Sequence, residues 1–259
     1  MDAEKYLNQS ILRALQVLES FSMDSRHLSI PEISKKIGLH RSTVHRLVVT
    51  LESAGWLHKI PDTEKFALGL KALALSGVAD DEISSQQIVR PFMETLAALS
   101  GETVALCMSD GISATCVDKV ESFQTLKISA NVGQDFPFHA GATGFAVLLG
   151  MPPEQAKRIL ERAPLKQYTE QTETDPARVF EKYLKARKDG FIVTRGTVDA
   201  GVTAIAAPLY FPRERSYGSV SLIMPENRAT EAVVAKYIKK LCETVEEIRH
   251  RVGAPKPIK

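Results

Sequence analysis

The chain reads as an α+β protein in two domains, and three observations carry that reading. At 259 residues it exceeds one small module and suits two domains of ordinary size. Its N-terminal part alternates short helical stripes with one strand pair, whereas the remainder sets antiparallel strand patterns among grouped helices. Charge divides along the same line: residues 1–78 hold ten basic and eight acidic side chains, and the remaining residues hold 23 of each.

Composition narrows the class. With 44% apolar and 25% charged residues, the chain has no disordered or collagen-like bias. The longest apolar run, around Phe145–Leu149, is too short to cross a bilayer. The opening MDAEKYLNQS lacks a basic start followed by an apolar core, so secretion is not expected. Cys107, Cys116 and Cys242 are odd in number and widely spaced, matching neither a disulfide framework nor a zinc site. The expectation is a cytoplasmic protein without a metal or a cofactor.

In chain order, Ile11, Leu15, Leu18 and Phe21 recur at helical spacing and suggest one inward stripe. Ser29-Ile30-Pro31-Glu32 has capping-box spacing, with proline in the first turn, where its missing N–H costs little. That helix runs through Ile33 and Ile37 to Gly38, a left-handed stop. A second helix, RSTVHRLVVTLESA, turns Val44, Leu47, Val48 and Leu51 inward and Arg41, Ser42, Thr43, His45, Arg46 and Thr50 outward. Two helices joined by a short Gly-containing turn make a helix-turn-helix over about residues 30–49. Trp56–Ile60, the Pro61–Glu64 turn and Lys65–Leu68 add a hairpin, which completes a winged helix-turn-helix. Leu28–Ile60 carries five basic residues against two acidic ones, the footprint of a nucleic-acid contact.

LKALALSGVA and the acidic Asp80–Glu82 read as a connecting helix and boundary. Beyond them the pattern predicts a helix at Pro91–Ser100 and strands at Thr103–Met108, Ala114–Val120 and Thr125–Val132. Turn signals at Asp110-Gly111 and Gly133-Gln134 separate those strands. Helices follow at Ala142–Leu149, Pro153–Ala163 and Pro176–Lys188, then strands at Thr203–Leu209 and Ser219–Met224, and a last helix at Ala229–Val252.

The run Ser34–Leu47, then Leu51–Leu57 and Phe66–Leu70, resembles the helix-turn-helix signature of the isocitrate-lyase-regulator (IclR) family of bacterial transcription factors. Gly101–Val104, Val117–Ser122, Val132-Gly133, Pro137–Ala140 and Gly201–Pro208 resemble that family's effector domain, in the same order. The resemblance covers about residues 8–252. It implies a GAF-like α+β effector-binding domain behind the winged helix, a homodimer or tetramer, double-stranded operator DNA of palindromic sequence, and a small organic-acid effector. On that basis residues 1–69 form the DNA-binding domain, 70–83 a linker helix, 84–252 the effector-binding and oligomerisation domain, and 253–259 a tail. Repression of transcription is the expected output.

Three departures stand out. Glu64 occupies a wing position where the family usually has glycine. The acidic cluster before the Gly201 strand is replaced by Thr194-Arg195-Gly196-Thr197, with Thr194 where some members place an acidic pocket residue. Two pocket serines correspond to Ser221 and Ile223, so one hydroxyl is lost.

For DNA the candidates are Arg41, Ser42, Thr43, His45 and Arg46 on the second helix, with Ser29, Lys59 and Lys65 on phosphates. Arginine reads guanine bidentately, whereas serine and threonine more often hold the backbone. For the effector, small residues from Ala140 to Gly144 open a helix, and free amides at a helix start suit a carboxylate. Ala142 and Thr143 would meet it, with Ile128, Phe138, Thr194, Val202, Ala204, Ser219 and Ser221 around them. Phe136 and Phe138 would supply aromatic surface, and Arg195 either a second positive charge or a solvent-facing one. Cys107 and Cys116 read as buried small hydrophobes, and His139 as a structural hydrogen-bonding histidine. G-x-S-x-G, P-loop, G-x-G-x-x-G, H-E-x-x-H and C-x-x-C are absent, so nothing in the sequence points to an enzyme. An enzyme fused to a winged helix and a ligand-free structural DNA-binding protein are the two alternatives.

Overall fold

A computed structural model describes residues 7–22, 25–79, 85–109, 111, 113–128, 130–162 and 164–254. The Asp80–Glu82 run, Asp110 and residues 255–259 lie outside them. The chain divides into two units, Met1–Glu82 and Ile83–Lys259.

In the first unit, α1 (Gln9–Glu19) starts on Asn8, whose side chain accepts the Ser10 and Ile11 amides at 3.0 and 3.3 Å. Its inward stripe differs from the expected one. Ala14, Val17, Leu18 and Phe21 meet the core, whereas Ile11 and Leu15 stand exposed beside Leu7. The helix carries two apolar stripes, and periodicity alone does not say which is covered. Strand β1 (Leu28–Ser29) leads into α2 (Ile30–Ile37), where both the Ser29 amide and its hydroxyl donate to Glu32 Oε2 at 2.7 Å. Those bonds, the amide's first, hold the Glu32 carboxyl below the usual carboxylate range. Gly38 ends α2 in the left-handed region (φ 69°). Helix α3 (Arg41–Ser53) buries Val44, Val48 and Leu51 against Val17, Ile33, Leu57 and Phe66.

The wing has one strand more than expected. Strands β2 (Leu57–Lys59) and β3 (Lys65–Leu68) pair in register His58↔Ala67, and β1 adds to the free edge of β3 through Leu28↔Phe66. A two-residue strand leaves no period in the sequence to find it by. Helix α4 (Leu70–Ala79) closes the unit, with Leu70 and Leu75 exposed.

The second unit is one antiparallel sheet with helices on both faces. Its strands are β4 (Thr103–Ser109), β5 (Ala114–Val120), β6 (Asp135–Phe136), β7 (Ile192–Arg195), β8 (Val202–Phe211) and β9 (Ser216–Pro225), in the order β6-β5-β4-β9-β8-β7. The helices are α5 (Ser85–Ser100), α6 (Ala142–Gly150), α7 (Pro153–Arg162), α8 (Pro176–Asp189) and α9 (Glu231–Val252). Alternation along β8 divides the core in two. Ala204 and Ala206 share a cluster with α6, α7 and α8, whereas Ile205, Ala207 and Leu209 share one with α5 and α9. Alanines on the first face let α6 approach so closely that residues 142–149 are all buried. Burying Phe145 and Leu148 stabilises the unit by roughly 1.5–3 kcal/mol each.

Three expectations give way here. The described residues of Thr125–Val132 form no strand; Gly133 turns at φ 83°, and among the described residues Asp135–Phe136 pairs with the edge of β5. Ile192–Arg195 forms the strand β7, too short to show in the sequence. Helix α5 begins at Ser85, with Pro91 inside it and not at its start.

Candidate functional site

The outer face of α3 presents its polar residues to solvent. Arg41, Ser42, His45 and Arg46 are exposed and Thr43 is half-buried. His40 starts the helix, its Nδ1 lying 2.8 Å from Ser42 Oγ. This histidine was not among the expected site residues, although its place one residue before the helix is visible in the sequence. Among the described residues no carboxylate lies within ion-pair distance of Arg41 or Arg46. Both charges are therefore available to an anion.

The phosphate candidates are differently placed. Lys59 Nζ pairs with Glu64 Oε1 across the wing at 2.9 Å, and Lys65 Nζ lies 3.8 Å from Glu32 Oε1. The Ser29 hydroxyl is committed to Glu32. Glu64, at the position where glycine was expected, supplies an internal partner for the wing lysine. Such exposed pairs are worth about 0–1 kcal/mol, weak enough for a phosphate to displace.

In the second unit a small pocket of about 50 Å³ opens at the start of α6. Ile128, Ala142, Thr143, Thr194, Val202 and Ala204 line it as expected, joined by Phe136. Gly141 from the Ala140–Gly144 run, Thr197 from the Thr194–Thr197 run and Ile223, at the position of the lost pocket serine, also line it. Gln134, Val198 and Asp199 complete the lining and were not expected there. These three sit in loops, where no period exists.

Three expected residues stand elsewhere. Phe138 lines a second pocket instead, beside Ile159, Leu160 and Tyr168, which Phe136 also borders. Ser219 and Ser221 are fully buried behind the pocket wall. Ser219 Oγ donates to the Thr143 carbonyl at 2.8 Å, and Thr143 Oγ1 donates to Ser221 Oγ at 3.1 Å. These serines brace α6 against β9 and hold Thr143 in position. His139 Nε2 lies 2.9 Å from the Lys166 carbonyl, a structural bond, as expected.

Arg195 adds no charge to the pocket. It alternates with Thr194 on β7, so Thr194 faces the pocket and Arg195 the other side of the sheet. There its guanidinium donates to the Ala229 carbonyl at 3.0 Å and to Glu231 at 2.8 Å. Among the described residues the pocket's one charged lining residue is the exposed Asp199. The start of α6 also borders it, where first-turn amides have no intrahelical acceptor and carry partial positive charge. Gly141, at φ 74°, gives its own amide to Thr197 Oγ1 at 3.1 Å. Gly144 permits the contact that shapes the mouth, since a Cβ there would overlap the Pro137 carbonyl. Among the described residues no group of three or more His, Cys, Asp or Glu side chains could hold a metal ion.

A basic, exposed second helix beside a paired wing is the arrangement of a DNA-binding domain, here followed in the chain by an antiparallel sheet that shelters a small pocket, the make-up of a transcriptional regulator. Comparison with known proteins gives that class a family. "IclR helix-turn-helix domain" matches residues 10–61 and "Bacterial transcriptional regulator IclR C-terminal" matches residues 81–250. The chain belongs to the IclR family of bacterial transcriptional regulators and is a DNA-binding regulator, not an enzyme. It is 26% identical over 247 residues to the Escherichia coli "Transcriptional repressor IclR", covering 95% of this chain and 90% of that one. It is also 26% identical to the Bacillus subtilis regulator KipR, covering 95% and 98%. Its fold matches an IclR regulator from a Silicibacter species with a TM-score of 0.81, at 24% identity and 96% and 99% coverage. It likewise matches an IclR homologue from Microbacterium hydrocarbonoxydans complexed with 4-hydroxybenzoate, with a TM-score of 0.78, at 23% identity and 95% and 100% coverage.

Proposed function

We propose that this regulator is a cytoplasmic repressor that binds a palindromic operator as a homodimer or tetramer and is controlled by a small carboxylate. The division of labour follows residues 1–69 for DNA, 70–83 as the connecting helix and 84–252 for effector binding and oligomerisation. The observation that carries the reading is the pocket at the start of α6, which sets free amides beside Thr143, Thr194, Thr197 and one aromatic wall, Phe136. This chemistry suits a carboxylate on an apolar or aromatic body, and the 4-hydroxybenzoate held by a structural relative supports it. The carboxylate would rely on amides and hydroxyls, because Arg195 is engaged elsewhere.

On DNA, Arg41 and Arg46 would read bases and Ser42, Thr43 and His45 would position the helix, with Lys59, Lys65 and Ser29 near phosphates. One such helix covers too few base pairs for useful specificity, so two must be held a helical turn or more apart. Exposed Leu70 and Leu75 on α4, Ile11 and Leu15 on α1, and Leu7 just before α1 supply apolar surface for that pairing. A monomer by light scattering at micromolar concentration would refute it. The pocket disfavours the ligand-free alternative. Calorimetry with 4-hydroxybenzoate, its amide and its methyl ester tests the effector reading. The acid should bind at least tenfold more tightly, a difference of about 1.4 kcal/mol. Equal affinity for acid and amide would overturn anion recognition.

A further inference from the structure

The two cysteines beneath the pocket stand opposite each other. Cys107 on β4 is the register partner of Cys116 on β5, and both face the α6 side of the sheet. The Cys116 amide donates to the Gln134 carbonyl at 2.9 Å, and the Gly133 amide donates to the Cys116 carbonyl at 2.8 Å. Both backbone groups of Cys116 therefore point away from β4, which makes Cys107–Cys116 a non-hydrogen-bonded antiparallel pair. Pairs of that kind bring Cα atoms to about 4.5 Å, at the near end of the roughly 4.4–6.8 Å that a disulfide spans. A break in register between Leu106 and Cys107 lies next to the pair and gives the strands local freedom to adjust.

We infer that Cys107 and Cys116 are a dithiol site that closes reversibly to an intrachain disulfide. The thiols are unequal: burial pushes Cys107 well up, whereas a hydrogen bond from Cys107 holds Cys116 below its ordinary value. Cys116 is accordingly the attacking sulfur. With a small hydroperoxide as oxidant, the Cys116 thiolate forms an S–O bond as the O–O bond breaks, and an alcohol or water leaves. Cys107 sulfur then attacks the sulfenic sulfur; the S–S bond forms, the S–O bond breaks, and the departing hydroxide takes the Cys107 proton as water. Two thiols are oxidised and one peroxide is reduced.

The position gives the bond a consequence. Cys116 carries the backbone bonds that hold Gln134, a pocket residue. Cys107 is the register partner of Ser219, which holds the Thr143 carbonyl. A covalent tie between these two strands would stiffen the pocket from beneath and couple oxidation to effector binding.

The test oxidises the folded full-length chain with hydrogen peroxide, denatures it and alkylates it with iodoacetamide before intact-mass measurement. Among the protein's three cysteines, two should escape labelling with a loss of two hydrogens, peptide mapping should join Cys107 to Cys116, and dithiothreitol should restore all three labels. Cys242→Ala should still protect two thiols, and Cys107→Ala should abolish the loss. Three labels after oxidation, a link to Cys242 or a second chain, or a Cys107–Cys116 link that forms only in denaturant would each overturn the inference. Hydrogen exchange over residues 130–136 should slow in the oxidised form, and unchanged exchange would overturn the coupling to the pocket.

Discussion

Glu102→Ala should lower the stability of the second unit by about 2–3 kcal/mol, and the size follows from one ion pair. The Glu102 side chain is 5% exposed and receives two guanidinium bonds from Arg228, Nε to Oε1 at 2.7 Å and Nη2 to Oε2 at 2.6 Å. Removing one partner of a fully buried pair costs roughly 3–5 kcal/mol, because the other charge is left unpaired. Arg228 keeps 28% of its side chain in water, which lowers that cost to the stated range. The same guanidinium donates to the Leu126 carbonyl at 3.0 Å, and Thr103, next to Glu102, donates to the Ile128 carbonyl at 2.8 Å. The pair therefore also steadies the loop that brings Ile128 to the pocket. A unit of this size loses about 2–4 °C of Tm per kcal/mol, so differential scanning calorimetry should show a drop of roughly 4–12 °C in its transition. Glu102→Gln, which keeps the shape and loses the charge, should fall between wild type and alanine. A Tm within a degree of wild type for Glu102→Ala, or a Glu102–Arg228 double-mutant cycle with no coupling, would refute the reasoning.

Arg46→Ala should weaken operator binding by roughly 1–3 kcal/mol and random-sequence binding by less, measured by fluorescence anisotropy. Glu64→Gln should free Lys59 and raise affinity for all DNA alike, with a steeper salt dependence, whereas Lys59→Ala should flatten it. Gly144→Ala should destabilise the second unit by about 1–3 kcal/mol despite alanine's helix propensity, since the new Cβ overlaps the Pro137 carbonyl, and calorimetric affinity for an effector should fall with it. Glu121 is held down to about 2 by its bonds from Lys119 first and Lys127 next. Its contribution is present above the ordinary 4.5 and fades as pH falls toward 2, by less than about 1 kcal/mol because the pair is exposed; Lys119→Met should remove that part of the acid dependence in denaturation midpoints.

The sequence by itself determined the DNA-reading half and most of the secondary structure. The inward stripe of α3, the Ser29–Glu32 spacing and the left-handed stop at Gly38 are local properties, set by 3.6-residue periodicity and by short-range hydrogen bonds. The small residues that open α6 were legible for the same reason. Tertiary structure decided what depends on a partner distant in the chain. Which of α1's two stripes is covered follows from where α2 and α3 lie. That β1 and β7 are strands at all depends on an edge to pair with, since segments of two and four residues carry no usable period. The pocket is the clearest case. Thr194 and Arg195 are adjacent in sequence, yet strand alternation sends one into the site and the other to Glu231. Ser219 and Ser221 look like ligand hydroxyls until Thr143 of α6, through its carbonyl and its hydroxyl, proves to be their partner. A polar side chain's chemistry is written in its residue type, but its role is fixed by which group reaches it first, and that is a property of packing.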